Sequence, residues 1–322
     1  MLCHNPAPVT LPLARFEGAL VGTMVGDSLG ARVEGFELGP LRHRYTDEAS
    51  FLALTPGPYS AVTEMTAAVA TSLARFPDFN VADLAAELVR LATPQRGYGQ
   101  ATLAAIERMR EGVPWQSAAS VPGGRTSFGN GAAVRSAPIG VFHAGDAESL
   151  RWVAEESAAV THENALAIEG AVLHAIAVGL AAATARRTAD GAGFLLSVGA
   201  ESQMREFRSR YEAAARMLER DFDPIRVVDK LGHGRIALGS VVTAAYCFAR
   251  HPDDFERAVA TALALGGNST AIASMTGAIA GARVGHAGMP GRWIDGLERG
   301  AISPERLRGL ASDLHHAADQ TP

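Results

Sequence analysis

The 322-residue sequence predicts an all-α fold that forms a single domain over residues 1–322. Apolar residues recur at spacings of three and four along most of the chain, and no segment alternates as a strand would. Hydrophobic residues make up 48% of the chain and aromatic residues only 6%, which is typical of closely packed helices with small side chains. No Pro/Ser-rich linker divides the chain into separate domains.

The apolar periodicity predicts thirteen helices in chain order. They cover residues 14–28, 61–75, 81–92, 98–111, 131–143, 146–159, 163–185, 204–219, 224–230, 237–250, 254–264, 270–283 and 304–318. Two starts carry clear signals, since Asn80 is a good cap and Ser303-Pro304-Glu305 combines a cap, a first-turn proline and an early carboxylate. Gly123-Gly124 and Gly191-Ala192-Gly193 are predicted to be loops.

Charge and composition exclude several classes of function. The net charge is −5, which argues against a protein that holds nucleic acid by charge. The only cysteines, Cys3 and Cys247, are too few for a disulfide framework, so a reducing cytoplasm is expected. Residues 1–20 lack the apolar run of a targeting segment, and the apolar stretch 271–282 is shorter than the roughly 20 residues that span a membrane. We therefore expect neither a membrane partner nor a nucleic-acid partner.

Five short blocks carry the residues that suggest chemistry, and the first runs from Gly26 to Glu34. Asp27 and Glu34 are seven residues apart, which places both carboxylates on one helix face if the helix continues that far. The alternative is a capping aspartate followed by a solvated glutamate, because acidic side chains usually lie at the surface.

The second and third blocks each lead into a predicted helix. The second, residues 57–67, offers polar side chains at Ser60, Thr63 and Glu64. The third, residues 127–138, contains glycine-flanked amides that suit a diphosphate at a helix start. In this block Phe128 can stack on a base. The residues that we assign to ligand binding here are Ser127, Phe128, Gly129, Asn130, Gly131 and Arg135.

The fourth and fifth blocks lie further along the chain. The fourth is Thr161-His162, whose simpler interpretation is a helix cap followed by a histidine at the helix end. The fifth consists of small and polar residues at a predicted helix start, namely Gly266, Gly267, Asn268, Ser269 and Thr270. Gly277 and Gly281 follow on the same helix, where we expect them to allow close helix packing.

Together and in this order, the five blocks resemble the motifs of the ADP-ribosylglycohydrolase family over roughly residues 15–300. Asp27 and Glu34 match the family pattern G-D-x-x-G-x-x-x-E, and Gly129-Asn130-Gly131 resembles the loop that holds the ADP-ribose diphosphate. Thr161-His162 matches a pair near the ligand. The resemblance implies a single compact orthogonal helical bundle of the ADP-ribosylglycohydrolase type. It also implies that the partner is ADP-ribose or an ADP-ribosylated small molecule or protein.

The chain departs from the family at the residues that hold two magnesium ions. The family patterns W/Y-T-D-D-T-x-M and G-G-D-T-D-T place aspartates at four positions, which here are Ala61, Val62, Asn268 and Thr270. Magnesium prefers oxygen ligands, usually carboxylates. Two dications would therefore be left nearly uncompensated, so we predict no metal site, no magnesium and no other cofactor.

Two hypotheses about function follow. In the first, the chain cleaves a ribosyl glycosidic bond without metal, with Glu34 and Asp27 as the catalytic candidates. Hydroxyl and amide groups would then orient the ribose, from Ser60, Thr63, Asn268, Ser269 and Thr270. Glu64 is a second carboxylate candidate, but on a helix it points roughly 200° away from Val62. In the second hypothesis the chain is an inactive pseudo-hydrolase that binds ADP-ribose or a protein.

Overall fold

A computed structural model describes residues 11–120, 126–184 and 190–320 of the chain. This part contains eighteen α-helices and no β-strand; its one isolated β-bridge pairs Gly129 with Ile236. The prediction of an all-α fold is therefore confirmed.

The first six helices along the chain are α1 (Leu13–Gly30), α2 (Leu38–Arg44), α3 (Glu48–Leu52), α4 (Ala61–Arg75), α5 (Val81–Leu91) and α6 (Gln100–Arg110). The next six are α7 (Trp115–Ala118), α8 (Ala137–Phe142), α9 (Ala147–Ala159), α10 (Ala165–Ala183), α11 (Gly191–Ala200) and α12 (Arg205–Met217). The last six are α13 (Pro224–Lys230), α14 (Ala237–Arg250), α15 (Phe255–Leu263), α16 (Ser269–Val284), α17 (Gly291–Asp295) and α18 (Pro304–Gln320). Short 3₁₀ turns cover Pro94–Arg96, Ala133–Arg135 and His286–Gly288.

Most of the predicted helices are present, with ends that lie within two residues of the predicted ends, and both predicted caps form. The Asn80 side chain accepts a hydrogen bond from Asp83 N at 3.1 Å, and Ser303 Oγ accepts one from Arg306 N at 3.2 Å. The predicted 131–143 helix is wrong, because a 3₁₀ turn and the shorter α8 replace it. The predicted loop at 191–193 is also wrong, since Asp190 caps α11 at this point. Gly123-Gly124 and residue 185, the predicted end of one helix, lie outside the described residues.

The longest shared surface in the core is the contact between α1 and α16, where glycines bring the two backbones together. A Cβ atom added at Gly281 would lie 2.0 Å from Gly18 O, and one added at Gly277 would lie 2.2 Å from Gly22 O. The prediction that Gly277 and Gly281 serve helix packing is confirmed. This contact sets the end of α1 beside the start of α16, where Ser269 Oγ donates to Gly30 O at 2.8 Å.

The end of α1 also determines the positions of Asp27 and Glu34, the two acidic residues of the first block. The helix stops at Gly30, so Asp27 lies on it, fully buried, while Glu34 lies in the turns that follow. The expectation that both carboxylates share one helix face is therefore wrong. Two backbone hydrogen bonds join these turns to the fifth block, from Gly35 N to Gly267 O at 2.8 Å and from Gly267 N to Phe36 O at 2.9 Å.

One described helix, α10, is long and apolar enough to cross a membrane by length and composition alone. Of its most apolar window, 78% is buried inside the molecule, which is the environment of a core helix.

Candidate active site

Residues of all five sequence blocks meet at a cavity of about 650 Å³, and the first block contributes Ala31 and Glu34. Glu34 enters it from the turns after α1, and the start of α4 and the start of α16 form one wall. The residues of the blocks that line it are Ala31, Glu34, Ser60, Ala61, Val62, Met65, Ser127, Gly129, Asn130, Gly131, Val134, His162, Asn268, Thr270 and Ala271.

Glu34 is held against the start of α16 by hydrogen bonds to both carboxylate oxygens. Its Oε2 accepts from Thr270 N and Thr270 Oγ1, both at 2.9 Å, and lies 3.3 Å from Ser269 Oγ. Its Oε1 accepts from Asn268 Nδ2 at 3.0 Å. A carboxylate oxygen can accept about two hydrogen bonds. Oε2 is therefore filled, and Oε1 keeps capacity toward the cavity.

The Asn268 amide connects Glu34 with the glycine loop of the third block. Asn268 Nδ2 donates to Glu34, while Asn268 Oδ1 accepts from Asn130 Nδ2 at 2.9 Å. Asn130 Nδ2 also donates to Ser240 Oγ at 3.0 Å. The orientation of the amide follows from these partners, because a reversed amide would set its oxygen against the Glu34 carboxylate. Gly267 supports this position with a φ of 61°, a backbone conformation that favours glycine.

Asp27 does not line the cavity but binds the first turn of α4. Its Oδ1 accepts from Ser60 Oγ at 2.6 Å, and its Oδ2 accepts from Ser60 N at 2.8 Å and Thr63 Oγ1 at 2.7 Å. Burial raises the pKa of the Asp27 carboxyl to about 6, against the lowering effect of these hydrogen bonds. Asp27 and Thr63 therefore position Ser60, the member of this group that reaches the cavity.

Glu64 points away from the cavity, as its place on α4 predicts. Its Oε2 accepts from Tyr98 Oη at 2.7 Å and from Thr93 N at 2.9 Å. These contacts attach the loop before α6 to α4. The structure thus places Glu64 in the core rather than among the residues that can touch a ligand.

His162 lines the cavity and is oriented by a buried arginine. Arg135 Nη1 donates to Thr161 Oγ1 at 2.9 Å, and Thr161 Oγ1 lies 2.8 Å from His162 Nδ1. The Thr161 hydroxyl has one proton and no other acceptor among the described residues, so it donates to Nδ1 and the His162 proton lies on Nε2. Burial, with a smaller contribution from Arg135, lowers the pKa of His162 to about 3. The ring is neutral and presents an N–H donor beside Gly131.

Thr161-His162 precedes α10 without capping it, since Asn164 is the cap. Arg135 is fully buried and does not line the cavity, so its role is to orient Thr161 rather than to bind a ligand directly. Phe128 is 48% exposed and also lies outside the cavity lining, while its carbonyl accepts from Ala237 N at 2.9 Å. The base-stacking role predicted for Phe128 is therefore not built into this cavity.

Two arginines at the cavity were not selected from the sequence. Arg96 forms an ion pair with Glu298, with Nη2 2.7 Å from Oε1, and its guanidinium lies 3.8 Å from the centre of the Tyr59 ring. Arg235 is exposed at the rim, and the structure gives its side chain no carboxylate partner among the described residues. The glycines around it, Gly232 and Gly234, were the only sequence signal for this loop.

Comparison with known proteins identifies the family of the chain. The family model described as ADP-ribosylglycohydrolase matches residues 8–322. The chain belongs to the ADP-ribosylglycohydrolase family.

Individual relatives match all or part of the chain. ADP-ribosylhydrolase ARH3 of Danio rerio is 32% identical over 353 residues, which cover 98% of this chain and 95% of that protein. The ADP-ribosyl-[dinitrogen reductase] glycohydrolase of Rhodospirillum rubrum is 33% identical over 157 residues, which cover 46% of this chain and 51% of that protein. A solved structure, described as an ADP-ribosylglycohydrolase-related protein complex, has a TM-score of 0.70 and 27% identity, with 95% of this chain and 98% of that chain covered. Family membership supports an ADP-ribosyl hydrolase-like function.

The residues at the family's metal positions do not fit a pair of magnesium ions. Ala61 and Val62 offer no side-chain oxygen, and Asn268 turns its nitrogen rather than its oxygen toward Glu34. Thr270 donates its hydroxyl proton to the same carboxylate. No group of three or more His, Cys, Asp or Glu side chains suited to a metal is found in the described part of the chain. Divalent magnesium would meet a single carboxylate here, too few anionic ligands for two dications.

Proposed function

We propose that this protein binds ADP-ribose, or an ADP-ribosylated small molecule or protein, in the cavity and hydrolyses the ribosyl bond of the ADP-ribosylated compound without magnesium. The observation that carries the proposal is the Glu34 carboxylate, which faces the cavity and is fixed by Asn268 and Thr270. Membership of the ADP-ribosylglycohydrolase family supplies the substrate class.

The far end of the cavity suits the diphosphate of such a ligand. The backbone N–H of Gly131 has no hydrogen-bond partner among the described residues, and a Cβ atom added at Gly131 would lie 3.5 Å from Nε2 of His162. Arg235 adds a positive charge at the rim. Neutral and cationic donors that converge in this way are the groups that hold phosphate oxygens.

Cleavage of the ribosyl bond develops positive charge at the anomeric carbon. Glu34 is the one carboxylate among the described residues that line the cavity, so it is the group that stabilises this charge and accepts a proton from the attacking water. Because no dication adds positive charge at this site, we expect turnover that is slow compared with that of a metal-containing relative.

Turnover in the presence of EDTA tests the proposal. We expect ADP-ribose release that EDTA does not inhibit and that Glu34→Gln reduces by about 100-fold or more, the range of a lost general base. Glu37→Gln is the matched control, because Glu37 is exposed three residues away and should leave the rate unchanged. Inhibition by EDTA that added magnesium reverses would contradict the metal-free reaction.

The hydrogen bonds to Oε2 of Glu34 favour a second candidate, an ADP-ribose binder that does not turn over. Calorimetry separates the two, because this candidate predicts binding of ADP-ribose by wild type and by Glu34→Gln with no product from either. Failure of wild type to bind ADP-ribose would contradict both candidates.

A further inference from the structure

We propose that the preferred substrate is a pyridinium nucleotide of the NAD⁺ type, whose ring is cationic while bonded to the ribose and leaves as a neutral, weakly basic heterocycle, rather than an O-linked serine or N-linked arginine conjugate. This inference rests on the proposed function and names its substrate class. Two features of the cavity carry it: an apolar wall beside Glu34, and the lack of an acid that could protonate a leaving group.

Two residues of the apolar wall, Ala61 and Val62, lie where the family patterns place aspartates. Val62 and Ala61 begin α4, and Ala271 directly follows Thr270, whose N–H binds Glu34. These side chains offer only carbon atoms to the cavity, so they favour a flat apolar ring over a hydrated polar chain. The side chains that form the wall are Ala31, Ala61, Val62, Met65 and Ala271.

The ionisable groups of the cavity leave no proton donor for a departing oxygen or nitrogen. Among the described residues of the lining these groups are Glu34, Arg96, His162 and Arg235. His162 is neutral, and its hydrogen bond with Thr161 fixes its tautomer. The hydrogen bond with Glu298 raises the pKa of Arg96 further, so this guanidinium keeps its proton.

Leaving-group chemistry then separates the substrates. Serine would leave as an alkoxide and arginine as a strongly basic guanidine, so both depend on an acid or an electrophile. In a pyridinium nucleotide the C1′–N bond breaks with both electrons passing to nitrogen, and neutral nicotinamide leaves unprotonated. The oxygen of water bonds to C1′, its proton passes to Glu34 Oε1 and then to solvent, and ADP-ribose remains. No oxidant, reductant or metal enters this balance.

The experiment compares substrates on the full-length protein in EDTA. Both anomers of NAD⁺, a serine-linked ADP-ribosyl peptide and an arginine-linked ADP-ribosyl peptide are incubated, and nicotinamide and ADP-ribose are quantified. We expect nicotinamide release from one NAD⁺ anomer, with kcat/KM about 100-fold above that of either peptide. This factor is the rate enhancement that a general acid usually supplies and that the peptides would lack here. The rate should increase as the pyridine of substituted analogues becomes less basic, with no fall on the alkaline side of the pH profile.

A variant of the apolar wall tests whether the wall contacts the nicotinamide ring. Val62→Ser should lower kcat/KM for NAD⁺ roughly 10-fold through the lost apolar contact with this ring. The Kd of ADP-ribose, which lacks nicotinamide, should stay unchanged. Unchanged ADP-ribose binding also shows that the variant is folded. Glu37→Gln again serves as the control.

The outcomes distinguish this inference from the proposed function. Peptide conjugates cleaved as fast as NAD⁺ would overturn the inference and leave the metal-free hydrolase intact. ADP-ribose binding without cleavage of any substrate would overturn the inference and the hydrolase together and leave the binder. No binding of ADP-ribose would overturn the proposed function itself.

Discussion

Asn268 Nδ2 lies 3.0 Å from Glu34 Oε1, so an amide donor satisfies a carboxylate at a point where the family patterns place a second carboxylate. In this contact the Glu34 carboxylate is the one anion and its hydrogen-bond donors are neutral, so no metal ion is needed to separate two like charges. The contact also predicts the effect of replacing Asn268 with aspartate.

Asn268→Asp should lower the free energy of unfolding by about 1–3 kcal/mol, because the donor is lost and a like charge faces Glu34. Magnesium should recover part of this loss in the variant and have no such effect on wild type. Urea unfolding with and without MgCl₂ measures both. Asn80→Asp is the control, since Asn80 is an exposed helix cap where aspartate serves equally well. Equal stability of Asn268→Asp and wild type would contradict the contact.

Restoring all four family aspartates should create a magnesium site. The variant carries Ala61→Asp, Val62→Asp, Asn268→Asp and Thr270→Asp, which supply the carboxylates that hard cations prefer. Calorimetry with MgCl₂ should show binding to this variant and none to wild type. Magnesium binding by wild type with similar affinity would contradict the proposal that the chain works without it.

Asp27→Asn should destabilise the protein in a pH-dependent way. The amide brings N–H groups against Ser60 and Thr63, which costs about 1–3 kcal/mol. The wild-type Asp27 pKa is raised from 3.8 to about 6, so its folded state holds an extra proton in that window and loses stability as pH rises through it.

The stability gap between wild type and Asp27→Asn should therefore be widest below that window and should narrow as pH rises through it. Urea unfolding across the window measures the gap. Asp47→Asn makes the same chemical change at an exposed cap. A gap that widens with rising pH would show that the hydrogen bonds to Asp27 outweigh its burial.

Thr161→Val should disturb the cavity by releasing His162. The variant removes the acceptor of Arg135 Nη1 and the donor to His162 Nδ1, so we expect a loss of about 1–3 kcal/mol in stability. ADP-ribose affinity should fall roughly 10-fold, since the Nε2–H donor is no longer fixed.

Imidazole ¹⁵N NMR should report protonated Nε2 in wild type and a tautomer mixture in Thr161→Val. Thr71→Val is the matched control, because within the described part of the chain Thr71 Oγ1 bonds only the carbonyl of Ala67 on its own helix. A wild-type signal for protonated Nδ1 would contradict the assignment.

Gly281→Ala should be strongly destabilising, by more than 3 kcal/mol, because its new methyl group would overlap the Gly18 carbonyl and push α1 and α16 apart. Gly309→Ala, on the exposed face of α18 with nothing within 4 Å, should instead stabilise by about 0.5–1 kcal/mol. Thermal unfolding of both variants measures the contrast. A tolerated Gly281→Ala would mean that the two helices can separate.

The helices could be predicted from the sequence because they follow its apolar periodicity. Most of the cavity could be predicted because its loops contain the glycine-spaced sequence blocks. It did not predict where Asp27 and Glu34 separate, since α1 stops at Gly30 through its tertiary contact with α16. The prediction of a loop at 191–193 was also wrong. Its glycines suggested a turn, but Asp190 caps a helix that begins there. Arg96 and Arg235 carry no local pattern, and only the folded chain brings them to the cavity.

The backbone contact between α1 and α16 also limits how this protein can change. Carbonyl oxygens and Cα atoms of the two helices touch at Gly18, Gly22, Gly277 and Gly281, so no side-chain volume exists there to repack. The frame that carries Glu34 and Asn268 therefore cannot slide or tilt by small steps. A new reaction in this protein would therefore have to arise by substitution of single side chains at fixed positions. Asn268 is an example, because its amide nitrogen occupies the place of a carboxylate oxygen while the helices keep their arrangement.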